Sequence, residues 1–281
     1  MKRKLLVVAG LALCGLSLVF AAGQKEAAGY SVAVVTGTTF EAKALEFENV
    51  SSVKLYEDDN QTLSELANGR VDAVITDRIV GINAISNERF NNLTIVGDLI
   101  YQEIIGVAIH KDNAALRQAL NRSLAEIIQN GSYAEISTKW FGADILAGLD
   151  RPTTVPGEAA ATDNSLTEAK NRGYVTFAMS GGYPPFNFYN DQNVLTGFDV
   201  EIARAVVENM GLEYRPVTTA WDGIIEGLRA KRYDGVWGSM AITDERLRIV
   251  DFTDPYYISG AQLVVQKGSP ILGPETLAGN N

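Results

Sequence analysis

The 281-residue chain has one cysteine and one histidine. Cys14 lies in an apolar N-terminal run, so removal of that run leaves no thiol for a disulfide or for nucleophilic chemistry. A lone histidine, His110, offers no pair for a zinc site and little scope for imidazole acid–base chemistry. Positive charge is also scarce: 24 Lys and Arg stand against 34 Asp and Glu, a net charge of −10. That balance argues against nucleic acid or an anionic membrane as a partner. Low-complexity and coiled-coil segments are absent too. What remains is an ordinary globular composition, 46% hydrophobic and 21% charged, long enough for two lobes with a core in each.

The N-terminus reads as a leader. Met1–Lys4 is basic, Leu5–Phe20 is apolar, and Val19-Phe20-Ala21 has the small-x-small pattern of a signal-peptidase site. Residues 1–22 are therefore expected to be a signal peptide that sends the protein to the periplasm. The apolar run is near bilayer-spanning length, so an uncleaved anchor is one alternative. Lipid anchoring through Cys14 is another, disfavoured because Leu13 stands where a small residue is expected. Without Lys2, Arg3 and Lys4 the chain keeps 21 basic residues against 34 acidic ones, a net charge of −13. Such a surface suits a freely diffusing exported protein.

A supersecondary pattern occurs twice. Val32–Val35 is apolar and β-branched and runs into Thr36-Gly37-Thr38-Thr39, a strand leading into a loop. Leu63, Leu66 and Ala67 have helical spacing, Gly69-Arg70 ends that helix, and Val71–Thr76 reads as the next strand. Downstream, Val175–Ala178 runs into Ser180-Gly181-Gly182, Ile225 and Leu228 mark a helix, and Lys231–Val236 matches Gly69–Val74 position for position. Two β–α–β units favour parallel sheets whose ligands lie beyond the carboxyl ends of the strands. Ala114–Trp140 is expected to be helical with a break at Gly131. Pro274–Asn281 reads as the start of a helix. Leu149–Ser165, with two prolines and no apolar periodicity, reads as a linker.

Thr243-Asp244-Glu245-Arg246 followed by Val250–Tyr257 (VDFTDPYY), with the glycine loop Ser180–Phe186 and the segment Gly69–Asp77, resembles the bacterial extracellular solute-binding proteins of family 3. These are the periplasmic polar amino-acid-binding proteins of ABC importers. The resemblance implies an α/β fold of the type II periplasmic-binding kind, two Rossmann-like lobes joined by a two-strand hinge. In the family the lobe with the Arg signature begins first; here it comes second. The chain is therefore expected to be circularly permuted. Lobe 2 would comprise residues 30–102 plus 268–281, lobe 1 residues 103–148 plus 166–267, and residues 149–165 would link the usual termini.

An α-amino acid makes stated chemical demands: a donor fork for its carboxylate, an acceptor for its ammonium and a wall for its side chain. The motif makes Arg246 the carboxylate fork, Arg248 being read as a surface residue. Thr38 and Thr39 would add donors from the other lobe, unless they only cap a turn. Asp77 is the expected ammonium acceptor; its bland alternative is a helix N-cap. Asp72 and Asp234, in the repeated pre-strand motif, read as structural. Tyr183 and Trp221 resemble the aromatics that sandwich the ligand, although either suits a core. Gly238 and Ala241 would contribute backbone groups. Many relatives carry Ser or Thr at Ala241, so one hydroxyl contact is missing. Ser180 stands where members for basic amino acids carry an acid, which favours a neutral polar ligand.

The expected protein is a monomeric, non-enzymatic receptor, without metal or cofactor, that closes on an amino acid and delivers it to the membrane subunits of an ABC permease. A periplasmic enzyme resembling cyclohexadienyl dehydratase is the alternative from another class. It would want a histidine or paired carboxylates in the cleft, and His110 is far in pattern from both glycine loops. A membrane-tethered sensor would need a transmembrane or signalling segment after the lobes, and none is expected.

Overall fold

The computed structural model describes residues 29–146 and 159–279. The expected signal peptide, Cys14 and residues 149–158 of the expected linker lie outside these residues. The first half holds β1 (Tyr30–Val35), α1 (Thr39–Glu46), β2 (Val50–Tyr56), α2 (Asp59–Ala67), β3 (Ala73–Asp77), α3 (Arg78–Ile85) and the long β4 (Leu93–Ile109). Helices α4 (Ala114–Gln129) and α5 (Ser132–Phe141) follow, parted at Gly131, which has φ of 90°. The second half begins with α6 (Ser165–Arg172) and β5 (Tyr174–Met179). A small sheet follows, made of β6 (Gly182–Tyr183), β7 (Asn187–Tyr189) and β8 (Leu195–Thr196). Then come α7 (Phe198–Asn209), β9 (Glu213–Thr218), α8 (Ile224–Arg229), β10 (Gly235–Ala241), α9 (Asp244–Leu247), β11 (Asp251–Phe252), β12 (Tyr257–Gln266) and α10 (Pro274–Ala278).

The main sheet runs β2-β1-β3-β12-β4-β10-β5-β9, with β11 pairing off β4. Pairing is parallel between β1 and its neighbours β2 and β3, and between β5 and its neighbours β9 and β10. These are the two β–α–β units. Strands β4 and β12 are antiparallel and cross from one unit to the other. Leu93–Val96 of β4 pairs with the end of β12 beside β3, and Ile105–Ile109 pairs with β10. The two lobes are thus joined by two strands. Between them the register shifts at Gly97, where Gln262 Nε2 donates to the carbonyls of Val96 at 2.9 Å and Gly97 at 3.1 Å. The expected lobe boundary at 102/103 falls inside β4, and the one at 267/268 falls just past β12.

Each unit has an apolar core. Val32, Val34, Ile75, Leu263 and Leu277 pack on one face of the first; Ala178, Ile224, Leu228, Val236 and Phe252 pack in the second. A larger cluster runs from Leu63 and Leu66 through Ile105 to Val175 and Phe198. Fully burying an aliphatic side chain stabilises by about 1.5–3 kcal/mol, which makes these clusters the main source of stability.

The repeated Asp has the same use in both units. Asp72 Oδ2 accepts the Ser31 N–H and hydroxyl, each at 2.7 Å; Asp234 Oδ2 accepts the Thr176 N–H and hydroxyl, each at 2.8 Å. Each carboxylate pins the start of the neighbouring strand. This explains why the strand expected from Val71 starts at Ala73: Val71 and Asp72 form the turn that aims the clamp. Thr39, expected in a loop, opens α1 because Thr38 caps that helix.

Candidate functional site

The carboxyl ends of β1 and β5 face one another across a cleft with about 510 Å³ of empty space, its open mouth included. From the first unit come Thr38, Thr39, Asp58, Asp59 and, on the crossing strand, Glu103; from the second come Ser180, Tyr183, Trp221, Gly238, Ser239, Ala241 and Arg246. Eight of the nine expected binding residues therefore line one cavity.

Arg246 stands in the four-residue α9, capped by the Thr243 hydroxyl, which accepts its N–H at 3.2 Å. Its Nη1 donates to the Ala241 carbonyl at 2.9 Å, and its Nη2 reaches the Gly37 carbonyl of the opposite lobe at 3.4 Å. Trp221 Nε1 donates to the same Gly37 carbonyl at 3.4 Å, and the guanidinium lies 5.9 Å from the centre of the Trp221 ring. Burial lowers the Arg246 pKa, and Glu103 opposes that shift. Among the described residues no carboxylate lies within ion-pair distance of Arg246, which leaves its charge available to an anion. The Thr38 hydroxyl donates to the Val35 carbonyl at 2.6 Å and accepts the Glu41 N–H at 3.3 Å, so it is engaged in capping. The Thr39 hydroxyl donates to Glu103.

Tyr183 stacks on Phe186, ring centres 5.4 Å apart, and presents its other side to the cleft. Ser180 is held by Asn187, its hydroxyl donating to Oδ1 at 3.1 Å. Gly238 packs closely on β5: an added Cβ would stand 3.2 Å from Met179 Cα.

Asp77 is not part of the cavity lining. It ends β3 at 1% exposure and caps α3, accepting the Ile79 N–H at 2.7 Å. Burial pushes its pKa up to about 7, with the Ser259 side chain and the Ile79 N–H pulling the other way. Its charge is felt by Tyr183, a residue of the lining whose pKa is raised first by burial and then by Asp77. Four carboxylate residues unforeseen from sequence do line the cavity: Glu57, Asp58, Asp59 and Glu103. Asp58 caps α2, accepting the Gln61 N–H at 2.9 Å, so an Asx pattern before that helix was the available signal. Asp59 is buried, its pKa raised to about 7 by desolvation against a hydrogen bond from Thr76. Glu103 is also raised by burial, Thr39 and Arg246 opposing. No motif marks Glu103, which enters the cleft only because β4 crosses between lobes. His110 follows β4 outside the lining, its Nδ1 accepting the Asp112 N–H at 3.1 Å. Among the described residues no cluster suited to a metal ion occurs.

The model of the bacterial extracellular solute-binding proteins, family 3, matches residues 18–143 and 175–276. The chain belongs to this family. Its fold is accordingly the two-lobed α/β periplasmic-binding fold. The chain is similar to the L-cystine-binding protein TcyJ of Escherichia coli (strain K12), 38% identical over 132 residues, which is 46% of this chain and 50% of the relative. It is also similar to an L-arginine-binding protein of Pseudomonas aeruginosa, 38% identical over 101 residues, 36% of this chain and 39% of the relative. Among solved structures, holo ArgBP from T. maritima is 37% identical, with 32% of this chain and 40% of that one covered, at a TM-score of 0.32. The chain thus spans half or less of the length of these relatives in any one match.

Proposed function

We propose that this family-3 protein is an extracytoplasmic receptor that captures a free L-amino acid between its lobes and delivers it to an ABC permease. The observation that carries this reading is Arg246: a half-buried guanidinium with no carboxylate within ion-pair distance among the described residues, aimed across the cleft at the N-terminal end of α1. A ligand carboxylate would take the Arg246 fork from one lobe and Thr39 with the first-turn N–H groups of α1 from the other. Tyr183 and Trp221 would flank its side chain. Asp77, which does not line the cavity as it stands, would accept the ammonium after a side-chain rearrangement at the end of β3, with the backbone at Gly238 and Ala241 adding contacts. Each lobe holds half of the donors, so the ligand is fully coordinated only when both meet.

Ser180 supports a neutral polar ligand, since its position offers no counter-charge. The acids Asp58, Asp59 and Glu103 on the opposite wall support a cationic side chain instead. Thermal-shift measurement against the twenty amino acids separates these. A ligand at a hundredfold excess over its Kd adds about 2.7 kcal/mol of stability, and Arg246→Ala should abolish the shift. No response to any amino acid overturns the receptor reading. A dehydratase-type enzyme is the second reading, favoured by the raised pKa of Asp59 and Glu103 in the cleft; formation of product from a prephenate-like substrate is its test.

The circular permutation belongs to the same proposal. Two observations support it: the family match falls into two segments, and α10 and the start of β1 are bridged by Asn49. The Asn49 N–H donates to the Leu277 carbonyl at 2.9 Å, while the Tyr30 N–H donates to the Asn49 carbonyl at 2.7 Å. We place the mature protein in the periplasm as a monomer.

A further inference from the structure

Behind the cleft floor lies a buried carboxylate with no part in the lining. Asp199, at the start of α7, is 0% exposed and takes three donors. The Tyr256 hydroxyl donates to Oδ1 at 2.7 Å; the Ser239 hydroxyl and Asn187 Nδ2 donate to Oδ2, each at 2.8 Å. No basic side chain lies within ion-pair distance of it among the described residues. A buried ion without a counter-charge is expensive and persists only when hydrogen bonds hold it.

Each donor to Asp199 also governs a piece of the cleft wall. Asn187 Oδ1 accepts the Gly181 N–H at 2.9 Å and the Ser180 hydroxyl at 3.1 Å, which sets the loop after β5. The Ser239 N–H donates to the Tyr256 hydroxyl at 3.1 Å. Ser239 has φ of 59°, a left-handed conformation unusual for a residue other than glycine, and stands where β10 shifts register against β4. Such a conformation persists when its surroundings over-determine it. Gly238, whose backbone faces the cleft, is the residue before it. The two wall segments are 58 residues apart in sequence (Gly181 to Ser239) and share Asp199 as their common acceptor.

We propose that Asp199 is a positioning residue that holds the Ser180–Gly182 loop and the Gly238–Ser239 bulge in binding geometry from one carboxylate. The proposal rests on the reading of the cleft as an amino-acid site. Asp199→Asn keeps the size but replaces one acceptor oxygen with an NH₂ that faces existing donors. Tyr256→Phe removes one donor from a residue outside the lining and serves as the second variant if the first fails to fold.

Both variants are compared with the full chain in two measurements. Amide hydrogen exchange of the ligand-free protein should accelerate at Gly181 and Ser239 and stay unchanged in β3 of the other lobe. Kd for the best-binding amino acid of the panel should weaken by roughly tenfold or more, the scale of one lost charged hydrogen bond. Unchanged exchange at those two amides overturns the proposal, as does an unchanged Kd. Uniform acceleration across the second unit also overturns it, since that would mark a purely structural carboxylate. Because exchange is read without ligand, it tests the positioning by itself; failure of the unaltered chain to bind any amino acid overturns only the ligand reading.

Discussion

Arg246 already uses two of its donors in the structure, on Ala241 within its own lobe and on Gly37 across the cleft. A lysine carries the charge but not the planar fork, so Arg246→Lys should weaken ligand binding by roughly tenfold or more while leaving the melting temperature of the ligand-free protein nearly unchanged. Calorimetric titration checks this. Gly197 shows a different demand. It has φ of 128°, and an added Cβ would stand 2.1 Å from the Phe186 carbonyl oxygen. Gly197→Ala should therefore cost about 3 kcal/mol or more in urea unfolding, from strain and steric overlap together. Asp59 carries a pH dependence whose sign is set by its raised pKa. Its folded-state value is about 7 against an ordinary 3.8, so its contribution is fully present below 3.8 and is lost as pH rises through about 7. Asp59→Asn mimics the protonated form. The stability of the variant relative to the unaltered protein should grow from about pH 4 to about pH 7 and level off above, as read by thermal melts.

Elements explain why residue 159 onward is more than a tether. Asn113 precedes α4 but makes no side-chain cap. The Ala115 N–H instead donates to Asp163 at 2.8 Å and the Leu116 N–H to the Ser165 hydroxyl at 3.0 Å, while the Gln118 amide exchanges hydrogen bonds with Ala159 and Ala161. A segment read from sequence as linker thus caps a helix from 48 residues away. Asp163→Ala should cost about 1 kcal/mol, the usual value of an N-cap, measurable by denaturant unfolding. Composition could not show this, because Ala, Thr, Asp and Ser serve a flexible linker and a capping segment equally well. The helix break at Gly131 was legible, since a left-handed glycine between two apolar periodicities is a local signal.

At the scale of the whole molecule, order along the chain and position in space separate. The first unit carries both described ends, since Tyr30 and Leu277 meet through Asn49. Loop closure over so short a gap costs little. A chain re-permuted by linking residue 279 to residue 29 and opened within 147–158 should fold and bind the same amino acid, with Kd within about threefold of the parent. Loss of binding in a well-folded product would refute the permutation reading.

Local pattern alone determined the two β–α–β units, the repeated Asp motif and the Arg246 motif, because each depends on residues close together in sequence; the clamps those Asp residues form on Ser31 and Thr176 join positions 41 and 58 residues apart. Periodicity and turn chemistry act over a few residues, and the chain states them directly. Tertiary structure decided the rest. That Glu103 enters the cleft depends on a strand crossing between lobes. That Asp77 is buried and not in the cavity wall depends on side-chain packing at the end of β3. The convergence of Asn187, Ser239 and Tyr256 on the Asp199 carboxylate joins β7, β10, α7 and the residue before β12 with no shared motif. Only their packing, driven by buried apolar surface and completed by satisfied polar groups, brings them together.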